Sequence, residues 1–262
     1  MTLTDEGHYG PKQLNLLKTV WGEGFLSPGG TEEIDEILKN IKVKNLNILD
    51  IGCGCGGAAF HLINCHNASF VTGVDVEPLV ISTAKDLADK KGLSGKTEFK
   101  LVSAGSMSIE DESVDVVFSK ETFLHIADKE KLLKDIFRIL KPNGIIAASD
   151  WMRIDDNPPS LQMREYIAAE GLDMFMCSLK NYETILKNIG FQNIQIRDRN
   201  EWYLEKAKKE IMDIKGPLYQ KVVDAIGTEE TEGAMDIWGK LVGVLETGEH
   251  RPGHFTAAKR IN

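Results

Sequence analysis

Apolar positions along this chain switch between two periods. Short continuous apolar runs read as buried strands: "LNILDI" (46–51), "FVTGVD" (70–75), "TEFKLV" (97–102), "VDVVFS" (114–119) and "IIAASD" (145–150). Between them lie helical segments. "GAAFHLINC" (57–65) follows the first strand, and "PLVISTAKDLADKKG" (78–92) opens on Pro78 and closes on Gly92. "DKEKLLKDIFRILKPNG" (128–144) sets Leu132, Ile136 and Leu140 on one face and ends on Pro-Asn-Gly, a stop and turn signal. Residues 12–41 read as helical with a break at 22–30, after which Thr31 can cap a helix with Glu32 and Glu33 in its first turn.

Strand–helix repetition of this kind predicts an α/β fold with a doubly wound, Rossmann-like, mostly parallel sheet. Ligands of such sheets bind beyond the carboxyl ends of the strands. That directs attention to 50–57, 75–77, 102–105, 119–125 and 150–153. Beyond Asp150 the pattern changes. "WMRIDDNPPSLQMREY" is loop-like and then helical, 193–199 reads as a sixth strand, 201–247 as helices and 254–260 as a closing strand. We expect a single domain over 1–262: N-terminal lid helices (1–45), a cofactor-binding core (46–150), and a helical substrate cap with the last two strands (151–262).

Charge and composition narrow the function. With 31 Lys and Arg against 40 Asp and Glu the net charge is −9, and the bases are scattered, so nucleic acid is not an expected partner. No apolar run approaches the roughly 18–20 residues of a membrane span, and the start, "MTLTDEGHYG", lacks the marks of a signal peptide. We therefore expect a cytoplasmic protein, a monomer or homodimer, with no stable membrane insertion. The four cysteines (Cys53, Cys55, Cys65, Cys177) offer no C-x-x-C pair. They read as buried thiols, His61 and His66 as surface histidines, and no metal is expected.

Gly52 to Gly57 fit G-x-G-x-x-G, which serves a dinucleotide or a nucleoside without phosphate. Asp75, at the end of the next strand, would accept ribose hydroxyls in either case. Asp50 discriminates, because a carboxylate repels a pyrophosphate and attracts an ammonium or sulfonium. "LDIGCGCGG" with "VTGVD", "SVDVVFS" and "RILKPNG" resembles the class I S-adenosylmethionine-dependent methyltransferases. The resemblance implies a seven-stranded sheet with its last strand antiparallel, and a turn at Asp50, Gly52 and Gly54 holding the methionine and ribose end of S-adenosylmethionine. It departs after the third strand, where Ser103 replaces a common acid. Backbone groups of Ser103 and Ala104 would then read the adenine, with Met107 against its face.

A narrower resemblance is carried by "LLKTVWGEGFLSPGG", "FSKETFLHI" and "GEHRPGHFTAAKR", which are similar to the phosphobase methyltransferases acting on phosphoethanolamine. It implies N-methylation of a small amine, with Tyr9, in an N-terminal lid helix, and His125 as a catalytic pair. Leu26, Ser27, Asp50, Gly52, Asp75, Val76 and Lys120 would contact the cofactor, and Glu121 the acceptor amine. Such chemistry needs alignment and a group to take the amine proton, which suits an imidazole. The phosphate grip departs from the family: Trp151 replaces a Tyr, an Arg and a Tyr fall near Glu170 and Leu172, and Lys240 alone matches a Lys. Arg153, Arg164, Arg197, Arg199 and Arg251 are alternative cations. Trp151 also suits a methylated ammonium by cation–π attraction, as in sarcosine or dimethylglycine. A non-catalytic cofactor-binding module and a nicotinamide enzyme are the readings from other classes.

Overall fold

The structure is a computed structural model that describes residues 9–105 and 108–260. Seven strands form one sheet: β1 (Asn47–Ile51), β2 (Phe70–Asp75), β3 (Thr97–Leu101), β4 (Val114–Lys120), β5 (Leu140–Asp150), β6 (Gln192–Asp198) and β7 (Gly253–Ala258). Their order is β3-β2-β1-β4-β5-β7-β6. The pairs from β3 to β5 are parallel, and β7 runs antiparallel to both neighbours. This is the doubly wound sheet with an antiparallel last strand that the sequence predicts.

Alternation within the strands builds the two faces. Ile48, Val116, Phe118 and Ala147 join the core beneath α2 (Gly30–Ile37), α3 (Gly57–Asn64) and α4 (Pro78–Lys90). Their neighbours Leu49, Val117, Ile146 and Ala148 join the opposite core, under α5 (Lys129–Ile139) and α7 (Leu179–Ile189). Burial on both sides explains why these strands read as continuous apolar runs.

The helix predicted over 128–144 stops at Ile139. Leu140 turns extended (φ −67°, ψ 133°) and pairs with Val114 of β4, while its carbonyl accepts from Lys259 Nζ at 2.8 Å. Lys141 precedes Pro142, which disfavours the helical region, so the sheet takes these residues. The helix predicted over 57–65 ends at Asn64, leaving His66 outside it.

Four helices form a cap: α6 (Leu161–Glu170), α8 (Asn200–Lys215), α9 (Tyr219–Ile226) and α10 (Thr228–Glu246). Ser160 caps α6 by accepting from Met163 N at 3.1 Å. The cap core contains Trp151, Tyr166, Tyr203 and Leu241. A neighbouring cluster joins Leu16 and Leu17 of α1 (Pro11–Trp21) to Ile214, Val222 and Trp238. Tyr9 precedes α1, whose N-cap is Gly10, rather than lying within a helix as the sequence suggests.

A buried ionic knot ties α2 to the sheet and cap. Glu33 is fully buried and accepts from Arg199 Nη2 at 2.6 Å and from His254 Nε2 at 2.5 Å. Burial raises its pKa, but the bonds to His254 and Arg199 outweigh that and lower it to about 2. A depressed carboxyl contributes stability above its unfolded pKa and loses it as pH falls toward the folded value. Replacing Glu33→Ala at neutral pH is expected to cost about 3–5 kcal/mol in urea unfolding. The gap should narrow as pH falls from the carboxylate range, roughly 4, toward about 2. An unchanged midpoint at neutral pH would show that the knot carries no stability.

Candidate active site

Strand β1 delivers Asp50 to the carboxyl edge of the sheet, and the glycine turn follows. Gly52 has φ 71°, and a Cβ there would lie 2.0 Å from Thr122 Oγ1, so only glycine fits. Gly54 N donates to Asp75 Oδ2 at 3.0 Å, and Glu77 N to Asp75 Oδ1 at 3.1 Å. These bonds hold the Asp75 carboxylate beside the turn. Burial raises its pKa, and the backbone donors oppose that rise.

Asp50 is 1% exposed, and its Oδ2 has no hydrogen-bond partner. Burial first, and repulsion by Asp75 second, push its pKa to about 7, with Lys120 opposing them. An unpartnered buried carboxylate oxygen beside a glycine turn fits a cofactor with a cationic amino-acid end. Lys120 donates to Pro28 O at 2.7 Å and to Ser27 Oγ, tying the 22–30 break onto β4. Leu26 and Ser27 thereby reach the adjoining pocket.

Val76 is 48% exposed next to Asp75 and offers an apolar edge. Ser103 and Ala104 are exposed just beyond β3, and Met107 lies outside the described residues. Cys53 and Cys55 are buried, and burial pushes both thiols up, Cys55 to about 12, so they act as packed spacers within the turn.

A pocket opens from this edge under the cap, and both Tyr9 and His125 line it. His125 ends a single 3-10 turn (Phe123–His125), which is fastened when Leu124 N donates to buried Asp150 Oδ1 at 2.9 Å. Tyr182 Oη donates to the other oxygen of Asp150 at 2.5 Å. His125 Nδ1 lies 2.8 Å from Asp173 O. A carbonyl only accepts, so Nδ1 carries the proton and Nε2 keeps its lone pair. Burial, with Lys129 adding to it, lowers the imidazole pKa against the pull of the Asp173 carbonyl. The Tyr9 phenol is raised chiefly by burial and then by Asp75 and Glu170, so its hydroxyl stays protonated.

The remaining walls are aromatic and acidic. Trp21 and Trp238 meet with ring centroids 5.6 Å apart, and Trp151 lines the same pocket. Glu121 is 9% exposed with φ 55°; it accepts from Tyr203 Oη and pairs with Lys120 Nζ at 3.5 Å. Glu170 ends α6 at 8% exposure. Burial pushes its carboxyl to about 7, although the Tyr166 hydroxyl nearby opposes this without a well-formed hydrogen bond.

Two sequence-predicted substrate residues fall elsewhere. Arg153 pairs with Glu249 at 3.0 Å and donates to Asn157 O at 2.7 Å, outside the pocket. Lys240 pairs with Asp236 one turn away and borders a separate surface hollow. The other cationic candidates are likewise engaged: Arg197 with Glu36, Arg199 with Glu33, Arg251 with Asp198 and Arg164 with Pro159 O.

Sequence reasoning missed Gln13, Trp21, Tyr203 and Trp238. They reach the site from α1, α8 and α10, and no local spacing links them. Only the acid Glu170, inside a stretch rich in Met and aromatics, offered a signal. The expectation for the histidines also changes. His61 Nε2 and His66 Nε2 both lie 2.7 Å from Asp35 Oδ1, bridging α2 to the end of α3, while Cys65 is exposed rather than buried. These three side chains could also converge on a metal ion, an arrangement invisible in the sequence because Asp35 is remote.

Residues 42–214 match the family model described as "Methyltransferase domain". The chain is 30% identical over 97% of its length to phosphoethanolamine N-methyltransferase 1 of Arabidopsis thaliana, covering 51% of that protein. It is 30% identical over 92% of its length to phosphoethanolamine N-methyltransferase of Triticum aestivum, covering 46% of it. The chain thus spans about half the length of the curated relatives it matches. Its fold superposes on Haemonchus contortus phosphoethanolamine N-methyltransferase 2, solved with phosphomonomethylethanolamine and S-adenosylhomocysteine. The TM-score is 0.90 at 24% identity, over 99% of this chain and 60% of that one. No helix among the described residues is long and apolar enough to cross a membrane.

Proposed function

The chain belongs to the methyltransferase domain family, and on that premise we propose that it transfers a methyl group from S-adenosylmethionine to the nitrogen of a small-molecule amine. The observation that carries this reading is the juxtaposition of two features. One is an unpartnered buried Asp50 oxygen beside a glycine turn; the other is a pocket bordered by a neutral His125. The first suits the cationic amino-acid end of the cofactor, and the second suits removal of an amine proton.

The cofactor supplies a methyl group already activated on a sulfonium. The chain's own task is then to bind, align, exclude water and take a proton. Asp50, Gly52, Gly54, Asp75 and Val76 are the assigned cofactor residues, with Leu26 and Ser27 closing over them and the backbone of Ser103 and Ala104 toward the adenine. Lys120 acts through its tether to Ser27 and Pro28. His125 Nε2 takes the ammonium proton of the acceptor, which frees the amine lone pair for methylation, while the Asp173 carbonyl steadies the imidazolium through Nδ1–H. Tyr9, protonated and beside the same pocket, is assigned to close it and orient the acceptor.

Phosphoethanolamine is the acceptor that the relatives' names suggest, and the extent of the match supports it. A second acceptor class, dimethylglycine-type amines, is favoured by Trp151, whose ring borders the pocket. Labelled S-adenosylmethionine offered with a panel of phosphorylated, carboxylated and neutral-bodied amines tests the reading. Label in an amine product is the expected result, whereas its appearance only in an O- or C-methylated product would overturn N-methylation.

A further inference from the structure

We propose that the acceptor pocket selects an amine carrying no anionic group, gripped through Glu170 and Glu121 against the faces of Trp21, Trp151 and Trp238. This rests on the N-methyltransferase reading above and sets a neutral-bodied amine in place of both acceptors named there.

Among the described residues the pocket offers no Lys or Arg for an anion to meet. The residues outside the description, 1–8, 106–107 and 261–262, contain no Lys or Arg at all. A bound phosphate calls for cationic, fork-like donors, yet every arginine considered for that role is engaged outside the pocket. Lys120, paired with Glu121, is engaged by Ser27 Oγ and Pro28 O.

What the pocket does hold suits a cation. Glu170 is buried in the wall, and no Lys or Arg among the described residues pairs with it. A phosphate or carboxylate placed there would be repelled, while an ammonium would be drawn in and would keep Glu170 ionised. The three indoles add faces of negative potential. The unpartnered polar atoms of lining residues Gln13 (Oε1) and Trp151 (Nε1) suit neutral groups such as a hydroxyl on the body of the amine.

Matched pairs test this. The full chain is supplied with labelled S-adenosylmethionine and either ethanolamine or phosphoethanolamine, and then either dimethylethanolamine or dimethylglycine. Binding of S-adenosylhomocysteine is followed alongside by calorimetry. The proposal expects kcat/KM for the neutral-bodied member of each pair to be higher by roughly tenfold or more. Glu170→Gln should raise KM for that member by roughly 30-fold with a smaller change in kcat and unchanged cofactor-product binding. Glu170→Arg should move the preference toward the phosphorylated member. Preference for phosphoethanolamine by the unsubstituted protein, with S-adenosylhomocysteine bound, would overturn this inference and leave the parent reading standing. Failure to bind S-adenosylhomocysteine would overturn both.

Discussion

His125→Ala is expected to lower kcat by about 10²–10⁴, the range of a general base, while leaving S-adenosylhomocysteine affinity within about threefold. The split follows from position. The imidazole borders the acceptor pocket, and its Nδ1–H is held by the Asp173 carbonyl. Its assigned partner is the acceptor rather than the cofactor held at the Asp50 turn. The pH profile carries a second signature. Burial lowers the His125 pKa, so the ring stays neutral through the physiological range and protonates only below the ordinary imidazole value, roughly 6.5. The base form is the active one, so wild-type kcat should hold as pH falls to that value and decline beneath it. The variant should lack this acid limb. Stopped-assay profiles of both proteins decide the matter, and equal turnover would remove the role assigned to His125.

Asp50→Asn is expected to weaken S-adenosylhomocysteine binding by about 30-fold or more, the penalty for removing one partner of a buried charged contact. Its effect on the stability of the free protein should be small or favourable. In the free protein the carboxylate is buried, repelled by Asp75 and unpartnered at Oδ2, so its charge is a cost that ligand binding offsets. Calorimetry and thermal unfolding on the same preparation separate the two effects. Unchanged affinity with raised stability would mean that Asp50 does not recognise the cofactor.

Much of the sheet was legible because its strands are buried on both faces and separated by helices with clear starts and stops. Pro78 opens α4 and the apolar stripe of α5 is regular. The boundary at Ile139 was not legible, because pairing of Leu140 with Val114 overrides a helical periodicity that continues through it. The cofactor edge could be read because Asp50, the glycine turn and Asp75 are closely spaced and each has a chemical reason to be there. The acceptor pocket could not. Its walls come from segments as distant as Gln13 and Trp238, and the question of which arginines are free is settled by partners far away in sequence, such as Glu249 for Arg153. Asp35 of α2 joining His61 and His66 is the same effect.

The central claim is that the turn after β1 holds S-adenosylmethionine. Titration of the full chain with S-adenosylhomocysteine, and separately with nicotinamide adenine dinucleotide, by calorimetry tests it most directly. The account predicts saturable binding of S-adenosylhomocysteine that is weakened by Asp50→Asn, and no heat from the dinucleotide. Binding of the dinucleotide with indifference to S-adenosylhomocysteine would contradict it.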